Sequence, residues 1–170
     1  MRRAKRKPIT EKTKNIEYDG TYTIWKGYRF KAKRRTIPTA TDVKEDLWQY
    51  CTNYVKKRDG NKCISCGKMC YGFNRQGGHF EPKASGGALL YFHPDNVHVQ
   101  CGGCNSNEGN RTEYFPAMEK KYGREYTEFL ISLKNSTVKA DNIFYERVRQ
   151  FYEDEDIDGL VEWLNNQKNT

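Results

Sequence analysis

Two Cys-x-x-Cys pairs, Cys63/Cys66 and Cys101/Cys104, constrain this chain more than any other feature of its sequence. Thiolates two residues apart can both point into one tetrahedron. Two such pairs therefore make a closed four-cysteine site that holds Zn2+ structurally and leaves no position for substrate. The stretch between them must fold back so that the two knuckles meet. It contains Gly77-Gly78-His79, and the second pair runs directly into Asn105. The expected scaffold is pinned by zinc and presents a histidine and an asparagine.

Only 36% of the 170 residues are hydrophobic and 31% are charged, so the core is modest and a metal staple is useful to it. The length fits one principal domain. Twelve tyrosines, within an aromatic content of 14%, argue against disorder. The first thirty residues hold no apolar run of the secretory kind, and no later run approaches membrane length. The expected setting is thus a reducing cytoplasm with no membrane partner. There, paired cysteines read as metal or redox chemistry before they read as disulfides. No βαβ pattern of the thioredoxin kind surrounds either pair, so the spacing decides for metal. Two cysteines remain. Cys51 falls on an apolar helical face as a small buried hydrophobe, and Cys70 is close enough to the first pair to be an alternative ligand.

The net charge of +8 is unevenly spread. Residues 1–35 hold thirteen Lys/Arg against three Asp/Glu, a balance of +10 that leaves −2 for the remainder. Tyr18, Tyr22, Trp25, Tyr28 and Phe30 are interleaved with this charge. Residues 1–40 therefore read as a basic aromatic arm, partly disordered or forming a short hairpin, and residues 41–170 as the zinc-stabilised domain. The arm suits a polyanionic backbone with exposed bases, with Arg2, Arg3, Lys5, Arg6, Lys7, Lys31, Lys33, Arg34 and Arg35 as candidate nucleic-acid contacts. The bland alternative is a solvated tail that only aids solubility.

Residues 16–35 predict a hairpin or two short strands, punctuated by Asp19-Gly20 and Lys26-Gly27. Residues 42–58 predict the clearest helix. Asp42 and Glu45 are spaced as a capping box, and Val43, Leu47, Tyr50, Cys51, Tyr54 and Val55 share one face. After the first knuckle a strand is expected to reach His79-Phe80. Pro82 and Gly86-Gly87 then mark a loop, with His93 exposed before Pro94, and residues 96–100 form a second strand entering Cys101. Helices are expected at 112–122, 124–134, 140–152 and 156–165.

Knuckle, strand, glycine-rich loop, strand, knuckle and helix is the order of a ββα-metal (HNH) unit. The expected class is α+β, with a small treble-clef-like zinc-stabilised core, flanking helices and the basic arm. The segments CISCG (63–67), GGHFEP (77–82), PDNVHVQC (94–101) and CGGCNSNEGNRTEY (101–114) resemble the phage NinG (Rap) recombination nucleases. So does the C-terminal pattern of Lys-Tyr-Gly (121–123) followed by Phe-Leu-x-x-Leu (129–133). The likeness covers roughly residues 60–165. The N-terminal part does not match, and a cysteine-rich N-terminal segment associated with that family is absent. More distantly the chain resembles phage recombination endonuclease VII, which has the same four-cysteine frame and an asparagine after its last cysteine.

The resemblance implies a metal-dependent endonuclease for branched DNA such as four-way junctions and forks, acting in a host-cell cytoplasm. A homodimer would be the simplest way to cut a symmetrical junction. By position, His79 is the base that deprotonates water, Asn96 the residue that orients it through the loop, and Asn105 a ligand for catalytic Mg2+ or Mn2+. One departure stands out. HNH sites often carry a second metal ligand just before the base, and here that position is Gly78. His98 and Glu81 are the candidate replacements, with Asn110 and Glu113 behind them. Each has a bland reading too: asparagines cap turns, and His98 could be a structural group under the zinc site. Two other functions compete, a non-catalytic zinc module that binds nucleic acid and a sequence-specific HNH endonuclease. If the arm touches phosphates, deleting residues 1–15 weakens DNA binding and flattens its salt dependence, by about 0.9 in log–log slope for each phosphate no longer neutralised. An unchanged slope would leave the arm no part in binding.

Overall fold

The computed structural model describes residues 16–18, 22–25, 28–31, 40–107, 110–134, 136, 138 and 140–167. The chain divides into two compact units, residues 1–46 and 47–170. In the first, β1 (Ile16–Tyr18), β2 (Tyr22–Trp25) and β3 (Tyr28–Lys31) form an antiparallel sheet in that order. Ile16 pairs with Trp25, and Tyr22 pairs with Lys31. Three strands replace the expected hairpin because each Gly-containing break, 19–20 and 26–27, separates two strands. Of the candidate nucleic-acid contacts, Lys31 ends β3, whereas Arg2, Arg3, Lys5, Arg6, Lys7, Lys33, Arg34 and Arg35 lie outside the described residues.

Helix α1 (Ala40–Asp59) runs from the first unit into the second. It begins two residues before the expected cap, so Asp42 lies in its first turn, where a carboxylate favours the helix dipole. Leu47, Cys51 and Val55 follow one another at helical spacing and are buried.

The second unit is built around a two-stranded antiparallel hairpin, β4 (Arg75–His79) and β5 (Val97–Cys101), which pairs Arg75 with Cys101 and His79 with Val97. Between the strands lies α2 (Lys83–Tyr91), where the sequence suggested a loop. Helical turns form on both sides of a break at Gly87 (φ 63°), because Leu89 and Leu90 supply buried anchors that the paired glycines mask. Then come α3 (Gly102–Ser106), α4 (Arg111–Tyr122), α5 (Arg124–Ser132), α6 (Asn142–Glu153) and α7 (Ile157–Asn166). Asp141 and Asp156 cap α6 and α7 by accepting from the Phe144 and Gly159 amides. Among the described residues, no helix is long and apolar enough to cross a membrane.

Strand alternation gives the hairpin two faces. Gly77 and His79 look toward α1: a Cβ on Gly77 would lie 2.8 Å from Thr52, and the His79 ring stacks on Trp48. Gln76, Gly78, His98 and Gln100 look the other way, toward α3 and α4. The end of α1 clamps the hairpin in place. Arg58 donates to the Pro94 and Val97 carbonyls at 2.8 Å each and pairs with Asp59, which accepts the Val99 amide at 3.0 Å. Burial alone would raise the Asp59 carboxyl, but the Arg58 hydrogen bonds, with nearby positive charge, hold it at about 2.

Candidate metal centre and histidine site

The first knuckle is a tight turn in which the Cys63 amide donates to the Lys68 carbonyl at 2.9 Å and the Gly67 amide donates to the Cys63 carbonyl at 2.9 Å. Gly67 takes φ +70°, a conformation that suits glycine. The Ile64 amide bonds the Val99 carbonyl at 2.9 Å and docks this knuckle on β5. The second knuckle is the end of β5 itself, with Cys101 as the N-cap of α3 and Cys104 within it. The four sulfur atoms of Cys63, Cys66, Cys101 and Cys104 all lie within 4.8 Å of one another, and Cys66 and Cys101 are 3.8 Å apart. Zinc–sulfur bonds of about 2.3 Å give a tetrahedron with edges of about 3.8 Å, so this donor set fits structural Zn2+. The Cys104 backbone N–H lowers the Cys101 thiol to about 7, and Asn110 Nδ2 lies 3.6 Å from the Cys104 sulfur. Such donors support thiolate ligands from outside the coordination shell. Cys70 stands apart from the four, donating to the Asn61 carbonyl at 3.3 Å. Cys51 is the buried hydrophobe expected, its thiol pushed up to about 12 by burial.

His79 ends β4. Its ring stacks on Trp48 at 4.7 Å with an 11° interplanar angle, and Tyr91 packs edge-on at 5.3 Å. The Lys83 ammonium lies 4.6 Å from the Trp48 ring centre and 5.3 Å from that of Tyr91. Nε2 is 2.9 Å from the Tyr91 carbonyl oxygen. A carbonyl only accepts, so Nε2 carries the proton, and in the neutral ring the lone pair is on Nδ1. Asn96 is buried, and its side chain hydrogen-bonds Glu81 and Leu90 and not the His79 ring. Its Oδ1 accepts from the Glu81 amide at 2.8 Å, and its Nδ2 donates to the Glu81 and Leu90 carbonyls at 3.2 and 2.9 Å. It ties the exit of β4 to the last turn of α2, one residue before the carbonyl that holds His79.

Asn105 lies on the opposite face, where Nδ2 donates to Gln76 Oε1 at 2.9 Å. His79 and Asn105 are therefore not brought onto one face of β4. A Cβ on Gly78 would fall 1.8 Å from Gln100 Oε1, so glycine stands there because the Gln100 side chain covers it. Gln100 is buried and donates to Ser65 Oγ at 2.6 Å.

Neither replacement ligand is open to an ion in this arrangement. His98 is buried, with Nδ1 3.0 Å from Tyr114 Oη and Nε2 2.9 Å from Tyr122 Oη. Burial, then the Arg58 charge, hold its pKa well below the ordinary histidine value, so the ring is neutral. Tyr114 gives its single proton to the Gly78 carbonyl at 3.1 Å. His98 Nδ1 must then donate to Tyr114, and Nε2 accepts from Tyr122. Glu81 is fully buried and paired with Arg111, with Lys134 Nζ 3.6 Å from its other oxygen. Asn110 faces Cys104, and Glu113 is exposed on α4. His93, expected to be exposed, is buried: it accepts the Asp95 amide at 3.1 Å, and its Nε2 lies 3.2 Å from Asn165 Oδ1. The Asn105 side chain bonds an amide oxygen, that of Gln76, and no carboxylate. Mg2+ usually takes one or two carboxylates with its phosphate and water ligands, so these residues alone do not fit a preformed site for such an ion. Trp48, Lys83 and Tyr91 escape sequence reasoning, since nothing in their spacing ties them to His79.

Because four-thiolate ligation is coupled to folding, a strong chelator should unfold the hairpin region, seen as lost circular dichroism and a lower Tm. Unchanged values would remove the zinc assignment. Tyr114→Phe strands the buried His98 Nδ1–H, and should cost about 1–3 kcal/mol in urea denaturation. Burial lowers the pKa of both His93 and His98, so the unfolded chain takes up protons first on acidification. Their contribution to stability is full above about pH 6.5 and declines below it. Imidazole 15N shifts at pH 7 should show His98 as the neutral Nδ1–H form. An imidazolium there would contradict the network.

No curated protein and no solved structure matches the chain. The family described as Bacteriophage Lambda NinG protein matches residues 3–155, so the likeness takes in the N-terminal part as well, contrary to the expectation that it begins near residue 60. That span takes in both knuckles, the hairpin and the helices as far as α6. The chain belongs to the phage NinG family.

Proposed function

We propose that the protein is a metal-dependent endonuclease for branched DNA, built on a ββα-metal (HNH) unit with a treble-clef-like zinc core, and that His79 is its general base. The observation that carries this reading is the hydrogen bond from His79 Nε2 to the Tyr91 carbonyl. It fixes the ring in the tautomer whose Nδ1 can take a proton, at the end of a strand pinned by the four-cysteine cluster. Water loses a proton to Nδ1 as its oxygen bonds to phosphorus, and the bond to the leaving sugar oxygen breaks, that oxygen taking up a proton from solvent. Trp48 holds the ring plane by stacking, and Asn96 acts as a positioning residue by fixing the segment that bears Tyr91.

A requirement for Mg2+ or Mn2+ belongs to the same proposal. Such an ion would supply charge stabilisation for the leaving oxygen, and its charge balance would come from the DNA phosphate. Asn105, the donor expected for it from the sequence, lies on the opposite face of β4 from His79, so it does not hold an ion beside that ring, and no proton transfer described above depends on the ion. Branched DNA is proposed as substrate on the family's link with recombination and on the basic arm. A homodimer and a reducing host cytoplasm complete the proposal, the latter because the four ligating thiols must stay reduced.

The second reading is a zinc module that binds nucleic acid without cutting it, and the covered Gly78 with its lack of a neighbouring carboxylate favours it. Both are tested by incubating the protein and His79→Ala with labelled four-way junction, fork and linear duplex, each with Mg2+, Mn2+ or EDTA. Divalent-dependent cutting of branched DNA that falls about 10²–10⁴-fold in the variant, with folding and binding intact, is the expected result. Equal cutting by both proteins would remove His79 from the chemistry. Binding without cutting would select the zinc module, and discrete cuts in linear duplex a sequence-specific enzyme.

A further inference from the structure

Three of the large hydrophobic side chains exposed among the described residues fall in one five-residue stretch beside the first knuckle. Met69 is 55% exposed, Tyr71 62% and Phe73 102%. This stretch is not loose. Cys70, between Met69 and Tyr71, is fully buried, and its amide bonds the Asn61 carbonyl at 2.8 Å. Gly72–Asn74 form a single helical turn, with Gly72 at φ +54°, and the Asn74 amide bonds the Tyr71 carbonyl at 3.0 Å. From the other side the Phe73 carbonyl accepts from Gln76 Nε2 at 3.1 Å, and Gln76 accepts from Asn105. Asn74 Oδ1 takes the Gly102 amide at 2.8 Å. The turn is thus fastened to the knuckle on one side and to α3 on the other, and it holds the Phe73 ring wholly in water.

The surroundings say what such a ring would meet. Lys62, paired with Met69 across the knuckle, and Lys68 are both exposed, and no aspartate or glutamate occurs between Gly60 and Phe80. A fixed aromatic surface beside two exposed lysines complements a polyanion with open π-faces. That describes nucleic acid whose bases are not stacked on one another. A second copy of the chain is a poorer occupant, because a symmetric contact would set Lys62 and Lys68 against their own counterparts.

We propose that Phe73, with Tyr71 beside it, is a stacking platform for unstacked bases at a DNA branch point. This rests on the branched-DNA reading above and gives that reading a residue that would tell a junction from a continuous duplex. Stacked bases inside a linear duplex have no face to offer it.

The test uses the full zinc-loaded chain in EDTA concentrations too low to strip zinc and without added Mg2+ or Mn2+, so that binding is read without cleavage. The probes are a four-way junction and a fork with 2-aminopurine at the branch, a 2-aminopurine single strand, and a linear duplex of equal length. Phe73 is fully exposed, so Phe73→Ala should fold, as circular dichroism and zinc content would show. Parent protein should quench the branch-point 2-aminopurine. In Phe73→Ala that quenching should disappear, and affinity for branched and single-stranded DNA should fall about five- to hundredfold, with duplex affinity unchanged. Phe73→Trp should restore both. Equal affinity of parent and Phe73→Ala for branched DNA, or equal loss on all probes, would overturn the proposal. So would a Phe73→Ala effect confined to self-association in sedimentation, or to binding of anionic phospholipid vesicles. Branch-point quenching with no cutting in Mg2+ or Mn2+ would refute the nuclease and leave the platform standing.

Discussion

Convergence of four sulfur atoms is the constraint on which the rest of the second unit depends. A two-stranded hairpin is marginal by itself in water. Here the first knuckle is docked on β5 through the Ile64 amide, and the second knuckle is the continuation of β5 into α3. A metal held by all four thiolates would fix the register of the hairpin at its Arg75–Cys101 end. The Arg58–Asp59 clamp fixes the stretch from Pro94 to Val99 from the side of α1. Between these two restraints the strand carrying His79 has little freedom to slip.

The two faces of the hairpin have opposite characters. Toward α1 lie an indole, a phenol and a half-buried imidazole whose Nε2 meets a backbone carbonyl. Toward α4, an imidazole is enclosed by two tyrosine hydroxyls and a backbone carbonyl, with both ring nitrogens used. The hydrogen bonds assign the two histidines opposite tautomers, Nε2–H for His79 and Nδ1–H for His98. The first arrangement suits a group that works at a surface, and the second one that stabilises a core. Residue type alone does not separate them; the groups at each ring nitrogen do.

Much of the architecture was legible because its signals are local. The Cys-x-x-Cys spacing anticipates the cysteine cluster, the 3.6-residue pattern marks α1 and the later helices within about two residues, and the strands run into His79 and Cys101. What was not legible depends on partners far along the chain. His93 meets Asn165, 72 residues away, and His98 meets Tyr114 and Tyr122. Gly78 reads in sequence as a lost ligand, yet its reason is a glutamine across the hairpin. Gly86-Gly87 signals a loop correctly at one residue, Gly87, and conceals the helical turns around it.

Closing the metal site also draws a ring in the chain. Cys66 and Cys101 are 35 residues apart, and nearly all of β4, α2 and β5 lie within the loop they close. The entropy of closing such a ring grows only with the logarithm of its length, about 0.6 kcal/mol for each doubling. Extra residues at the Gly87 break would therefore cost the metal site little. A shift by one residue at Cys66 or Cys101 would turn a sulfur out of the tetrahedron. Length is free to vary in the middle of this ring and tightly held at its ends.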